Sequence, residues 1–279
     1  MSAIKLNVEG LNVRFVSGQK ETHAVRDVSF TLGREKLAIV GESGSGKSTV
    51  GRSLLKLHPP SAKITAKAMA FGEVDLLSAS EKAMQKIRGQ RISMIMQDPK
   101  YSLNPVVKVG DQIAEAYLAH HKASRSDARE RVLQMLEQVH IRDPQRVYNL
   151  YPHEVSGGMG QRIMIAMMVI TRPEVIIADE PTSALDVSVR QQVLNVLEGL
   201  VDQQQMGLIF VSHDLNLVRN YCDRVLVMYA GRVVESLAAC DLQYAEHPYT
   251  RGLLAALPSM DNRRVHLPVL KRDPLWLTQ

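Results

Sequence analysis

The run Gly41-Glu42-Ser43-Gly44-Ser45-Gly46-Lys47-Ser48-Thr49 fits the pattern G-x-x-x-x-G-K-[ST] at every position and directly follows the apolar stretch Leu37-Ala38-Ile39-Val40. A strand, a glycine-rich loop and a helix in this order make a phosphate cradle. Gly41, Gly44 and Gly46 let the backbone turn its N–H groups toward phosphate oxygens, a shape that β-carbons obstruct. Lys47 supplies a point charge for the β- and γ-phosphates, and the Ser48 hydroxyl stands where it can ligate Mg²⁺. The residues from Thr49 to Leu55 read as a helix whose N-terminal dipole favours the same anion.

Composition narrows the class. With 279 residues, 45% of them hydrophobic, the chain can bury one sizeable core carrying an inserted lobe. The longest apolar run, Ile163 to Ile170, is far short of the roughly 20 residues that span a bilayer. The N-terminal residues Met1 to Glu9 lack the basic-then-apolar signature of a signal peptide, so a cytoplasmic location is expected. Cys222 and Cys240, without C-x-x-C spacing, argue against a disulfide framework or structural zinc. A net charge of +5 spread along the chain suits an anionic membrane surface or plain solubility better than a nucleic-acid footprint.

Alternation of apolar and polar residues in Ile4–Val8, Leu11–Val16 and Ala24–Leu32 predicts an antiparallel β subdomain ahead of the loop strand. Phe15 is the aromatic there that can stack on a nucleobase; a core Phe on a strand fits the pattern as well. After Pro59-Pro60-Ser61, short strands are expected around Ile64 to Phe71, a helix from Ser80 to Ile87, and a strand leading to Gln97, which is placed to reach Mg²⁺ or its water. Apolar spacings of three and four between Val109 and Tyr151 predict an inserted helical lobe. Ser156-Gly157-Gly158 opens a further helix and offers a second anion site, while Met164, Met167 and Met168 read as packing. Glu174 to Glu180 is a β-branched run ending in Asp179 and Glu180. In a phosphate-loop protein that position orients Mg²⁺ and activates water. Gly207 to Asp214 is another buried strand, with His213 at its ligand-facing end; the pair His120-His121 is expected to be solvated.

With these pieces in order, the chain resembles the nucleotide-binding subunits of ATP-binding-cassette (ABC) transporters over nearly its whole length. The resemblance implies a P-loop NTPase cassette of the α/β class: a RecA-like parallel-sheet core, an N-terminal antiparallel β subdomain and an inserted α-helical lobe. The whole of 1–279 would be one nucleotide-binding domain, with its lobe at about 100–165 and a tail at about 240–279. It implies that Phe15 stacks on adenine, that Gly41 to Thr49 hold ATP, and that Gln97 senses Mg²⁺ and touches the membrane partner. Ser156, Gly157 and Gly158 then belong to the signature that contacts the γ-phosphate bound to an opposite subunit, and Asp186 to the loop spanning Ser183–Asp186 beside it. Asp179, with Ser48 and Gln97, is the metal set; Glu180 is the general base, and His213 holds the γ-phosphate and attacking water. Val155 and Met159 replace the usual Leu and Gln of the signature without removing a hydroxyl, glycine or charge, so an active ATPase is expected.

Gln97 to Pro105 and the tail His247 to Pro258 are similar to the importer ATPases for dipeptides, oligopeptides and nickel. That group implies two transmembrane permease subunits, a paralogous or identical ATPase in a head-to-tail dimer and, indirectly, an extracytoplasmic substrate-binding protein. It places the chain at the cytoplasmic face of the inner membrane as a peripheral subunit. No iron–sulfur cluster is expected, since the cysteine cluster of longer relatives is missing before Gln279. Nucleic-acid ABC ATPases carry coiled-coil or zinc insertions, and translation-factor cassettes come in pairs; one set of motifs and a short lobe fit neither. No nucleic-acid partner is expected, and peptide and nickel uptake are left open.

Overall fold

The computed structural model describes residues 5–18, 20–257, 273 and 276. Ile4 of the first expected strand and Pro258, with most of the tail beyond it, lie outside the described residues. The chain divides into two compact units, Met1–Ser78 with Ile209–Gln279, and Ala79–Leu208.

The first unit opens on β1 (Leu6–Ser17) and β2 (Lys20–Leu32), antiparallel from Leu6 opposite Leu32 to Ser17 opposite Lys20. The sequence suggested two short strands where the structure has one. The alternation breaks at Gly10, which sits at φ 61 and shifts the register between Val8 and Leu11 without ending the ladder. The Ser29 hydroxyl accepts the Gly10 N–H at 2.9 Å, and Asn12 Oδ1 accepts that of Asp27, so side chains satisfy the backbone groups the bulge displaces. Leu6, Val8, Leu11 and Val13 point into the core with Val25, Val28 and Leu32. After β3 (Lys36–Val40) and α1 (Lys47–Leu54) come β4 (Ala62–Thr65), β5 (Ala68–Phe71) and β6 (Val74–Asp75). They complete a sheet of order β2-β1-β5-β6, with β4 also on β1.

In the second unit, α2 (Glu81–Gln85) starts on the Ser80 hydroxyl, and β7 (Ile92–Ile95) follows. The expected lobe is three helices, α3 (Val109–Leu118), α4 (Arg125–Gln138) and α5 (Pro144–Tyr148). Ser124 and Asp127 form a reciprocal capping box at α4, and Asp143 caps α5 ahead of Pro144, which explains where each helix begins. Val132, Met135 and Leu136 of α4 are fully buried, the face that the three-and-four spacing marked. Then come α6 (Gly157–Val169), β8 (Val175–Asp179) and α7 (Val187–Gln204). β7 and β8 are parallel, Ile95 opposite Ala178, and the Arg91–Glu174 ion pair at 2.7 Å ties their N-terminal ends. Met164 is fully buried on α6, as the packing reading expected. His120 and His121 are half-buried rather than solvated: the His121 ring stacks on Tyr117 at 4.3 Å, and His120 lies against the backbone at Gly89.

The chain re-enters the first unit through β9 (Gly207–Ser212), α8 (Leu215–Tyr221), β10 (Arg224–Tyr229), β11 (Arg232–Ala238) and α9 (Pro248–Ala255). β10 runs parallel to β3, Val227 opposite Val40, and β11 returns antiparallel on β10. Arg224 secures this corner by donating to Glu35 and to the Thr31 carbonyl. The β10–β11 hairpin was not legible in the sequence, because its apolar run Val225 to Tyr229 is short and β11 is only half-buried.

Candidate nucleotide-binding site

β3 ends at Val40, and the chain turns through Gly41 at φ 149, Gly44 at φ 80 and Gly46 at φ 98 into α1. These φ values are open to glycine and strained for other residues. Space demands the same: a Cβ on Gly41 would stand 2.2 Å from the Met228 carbonyl oxygen, and one on Gly46 2.5 Å from that of Ala24. The cradle is therefore walled by the backbone of β10 on one side and β2 on the other. No side chain caps the N-terminus of α1, which leaves its dipole facing the loop.

Lys47 is 6% exposed, and its Nζ donates to the carbonyls of Gly41 and Glu42, each at 2.9 Å. This places an ammonium, which interacts strongly with phosphate oxygens, inside the loop. The buried Ser45 hydroxyl has no hydrogen-bond partner among the described residues, a donor that a bound anion would satisfy. These features, glycine space, a buried cation and an orphaned hydroxyl, fit a nucleoside triphosphate. Ser48, one residue into the helix, is half-exposed.

Two contacts that the sequence did not disclose brace this loop from outside. The Gly231 N–H, in the β10–β11 turn, donates to the Ser45 carbonyl at 3.0 Å. The Glu42 N–H donates to the Tyr249 hydroxyl, at the start of α9, at 3.0 Å. The tail motif containing Tyr249 was visible in the sequence only as a mark of resemblance; its contact with residue 42 depends on the fold.

Phe15, on β1, is half-buried, with its ring edge-on to His58 at 5.4 Å. The His58 Nε2–H reaches the Thr49 carbonyl at 3.1 Å and the Ser53 hydroxyl at 3.0 Å, locking the ring beside α1. Burial pushes the His58 pKa below its ordinary value; the bond to Thr49 opposes that push and the charge of Arg52 adds to it. Burial also lowers His23 and His120. Each is held neutral more firmly in the folded chain than in the unfolded one, so the unfolded state takes up protons first on acidification. Their stabilisation is complete above the ordinary imidazole value of about 6.5 and is lost as pH falls through the lowered folded values. The melting temperature is expected to decline from pH 7 to pH 5, and His58→Gln, which keeps a donor that does not titrate, should decline less. Parallel curves for the two proteins would exclude His58 as a contributor. His213 is exposed just past the end of β9, where Asp214 caps α8 through the Leu217 N–H.

In the second unit, β7 and β8 are parallel, so Gln97, Asp179 and Glu180 are delivered to one C-terminal edge. Asp179 is 3% exposed at the last position of β8, whereas Gln97 is exposed two residues beyond β7. Glu180 adopts φ 47, a left-handed conformation uncommon for a side chain of its size. Its carbonyl accepts both the N–H and the hydroxyl of Ser183, at 3.2 and 3.1 Å, so the following turn holds it in that conformation. Asp186 spends its carboxylate on the N-terminus of α7, accepting from the Val189 N–H and the Ser188 hydroxyl. The Val189 bond, then the Ser188 bond, holds its pKa below the usual aspartate value. Ser156 caps α6 through the Met159 N–H at 3.4 Å; it and Gly157 are exposed, so this helix end is presented to solvent.

The sequence profile of the family described as "ABC transporter" matches residues 25–183. The dipeptide transport ATP-binding protein DppD of Bacillus subtilis is 46% identical over 272 residues, 96% of this chain and 81% of that protein. The oligopeptide transport ATP-binding protein OppD of the same organism is 45% identical over 260 residues, 92% of this chain and 73% of that protein. Among solved structures, a dimeric ATP-binding cassette bound to ADP and Pi superposes with a TM-score of 0.75 at 24% identity, covering 84% of this chain and 98% of that one.

Proposed function

The chain belongs to the ABC transporter family, and on that premise we propose that it is the ATP-hydrolysing subunit of an importer that drives peptide uptake through partner permeases. The observation that carries the ATP reading is the glycine-walled loop with the buried Lys47 ammonium at its centre. Peptides are preferred over nickel because the similar chains named above are dipeptide and oligopeptide transport proteins. Residues 1–279 are read as one nucleotide-binding domain, with the helical lobe at about 100–165 and the importer-type tail at about 240–279.

In the proposed mechanism, Phe15 stacks on adenine, and residues 41 to 49 wrap the phosphates through backbone N–H groups, Lys47 and the Ser45 hydroxyl. The Ser48 hydroxyl, the Asp179 carboxylate and the Gln97 amide oxygen are the ligands proposed for Mg²⁺, which would neutralise phosphate charge. Glu180 accepts a proton from the attacking water as its oxygen bonds to the γ-phosphorus, the bond from that phosphorus to the β–γ bridging oxygen breaks to release ADP and inorganic phosphate, and His213 orients the water against the γ-phosphate. Lys47 stabilises the charge spread over the transferring phosphoryl group. The exposed end of α6 at Ser156, Gly157 and Gly158, flanked by the Asp186 turn, donates to the nucleotide of a second cassette, either another copy or a paralogue. Closure of the pair on two nucleotides, and reopening after hydrolysis, would be passed through Gln97 and the lobe to two permeases. A substrate-binding protein outside the membrane would deliver the cargo. No helix among the described residues is long and apolar enough to cross a membrane, and a peripheral place at the cytoplasmic face is proposed.

The test is to tag the chain at native expression level, solubilise membranes in mild detergent and identify what co-purifies. Two multi-span permeases with ATPase activity stimulated by a peptide-loaded receptor are the expected result. Recovery with nucleic acid or ribosomes from the soluble fraction would overturn the transport reading.

A further inference from the structure

We propose that Tyr249 is a positioning residue for the phosphate loop: its hydroxyl fixes the orientation of the Gly41–Glu42 peptide and thereby sets the affinity for ATP. The inference rests on the ATP reading above.

That peptide is gripped at both ends. Its carbonyl, from Gly41, accepts the Lys47 ammonium at 2.9 Å, and its N–H, from Glu42, donates to the Tyr249 hydroxyl at 3.0 Å. Gly41 has no side chain to resist rotation, so these two bonds act directly on the orientation of the plane. When phosphate draws the ammonium off the carbonyls, the phenol is the grip that persists. A rotated peptide would turn an N–H toward the buried cation and aim the Gly41 carbonyl away from it, an arrangement that costs electrostatic energy in a site shielded from water.

The hydroxyl itself cannot drift, because its ring is fully buried and clamped. Tyr249 packs on Tyr229 at 4.6 Å and on Trp276 at 6.0 Å. Its own N–H is held by His247 Nδ1 at 3.1 Å, and Glu235 Oε1 accepts the N–H groups of Glu246 and His247 at 2.7 and 3.3 Å. Strand β11 thus anchors the start of α9, and α9 presents one oxygen atom to the loop. Neither the phosphate-loop pattern nor the mechanism above uses this atom.

Tyr249→Phe keeps the ring and removes the hydroxyl that accepts the Glu42 N–H. For the full chain, the Kd and KM for ATP are expected to rise about fivefold, the share of one net hydrogen bond, with kcat within about twofold of wild type. Trp276 is the single tryptophan and lies against Tyr249, so an unchanged emission maximum certifies that the cluster is intact. A variant with wild-type emission and wild-type Kd, or one that loses kcat with KM unchanged, overturns the proposal. Amide hydrogen exchange on the wild-type chain tests it without a substitution: the Glu42 N–H should be protected both without nucleotide and with it. Exchange as fast as that of the exposed Ser43 overturns the proposal as well. Failure of the wild-type chain to bind ATP would instead sink the ATP reading, so the two failures are distinguishable.

Discussion

Glu180→Gln is expected to bind ATP as tightly as wild type and to hydrolyse it about 10³-fold more slowly, within the range that a positioned general base contributes. The substitution is close to isosteric, and the left-handed φ of 47° and the two bonds from Ser183 to the residue 180 carbonyl are backbone features. Both survive the exchange of a carboxylate for an amide, and the substitution removes the basic carboxylate. Single-turnover hydrolysis beside equilibrium nucleotide binding decides the matter. Wild-type turnover in the variant would remove Glu180 as the base, and loss of binding would reassign it to the nucleotide cradle.

Lys47→Ala is expected to weaken ATP binding by 100-fold or more, since one hydrogen bond from a charged group is worth up to about 3 kcal/mol. The ammonium is almost completely buried and draws two loop carbonyls toward itself, so its removal deletes the cation and releases the loop that it organises. Truncation also takes that donor from the Gly41 carbonyl and leaves the Glu42 carbonyl with the Ser45 N–H, which adds a conformational penalty to the electrostatic one. Calorimetric titration of the full chain with ATP reads the effect, and a matching melting temperature separates it from unfolding. Binding equal to that of wild type would end the phosphate-loop assignment. Lys47→Ala should be far more severe than Tyr249→Phe, because on the proposed reading the lysine meets the phosphate and the tyrosine only steadies the peptide beneath it.

Much of the site was legible because its chemistry is local. A phosphate cradle is built by consecutive residues, so Gly41 to Thr49 announce themselves by spacing, and the structure adds the wall atoms that forbid side chains at Gly41 and Gly46. The buried strand ending at Asp179 and the capped helices of the lobe were readable for the same reason: periodicity and end signals lie within a few residues of each other. Gly10 shows the opposite case. A glycine that interrupts alternation reads as the end of a strand, and only the partner strand, with Ser29 and Asp27 in place, turns it into a bulge. Asp186 shows a third: a carboxylate noted for nucleotide chemistry also caps the N-terminus of α7 through its Oδ1.

By itself, the sequence determined the cassette family, the nucleotide loop, the order of the motifs along the chain and the acidic end of β8, because each depends on residues that are neighbours in the chain. Tertiary structure alone decided what stands around that loop. Met228 and Ala24 shape its walls, Gly231 holds Ser45, and Tyr249, 207 residues from its partner Glu42, fixes the peptide beneath the lysine. Such contacts are set by which strands pair and where a helix returns, and a hydrogen bond between distant residues leaves no period or spacing to read.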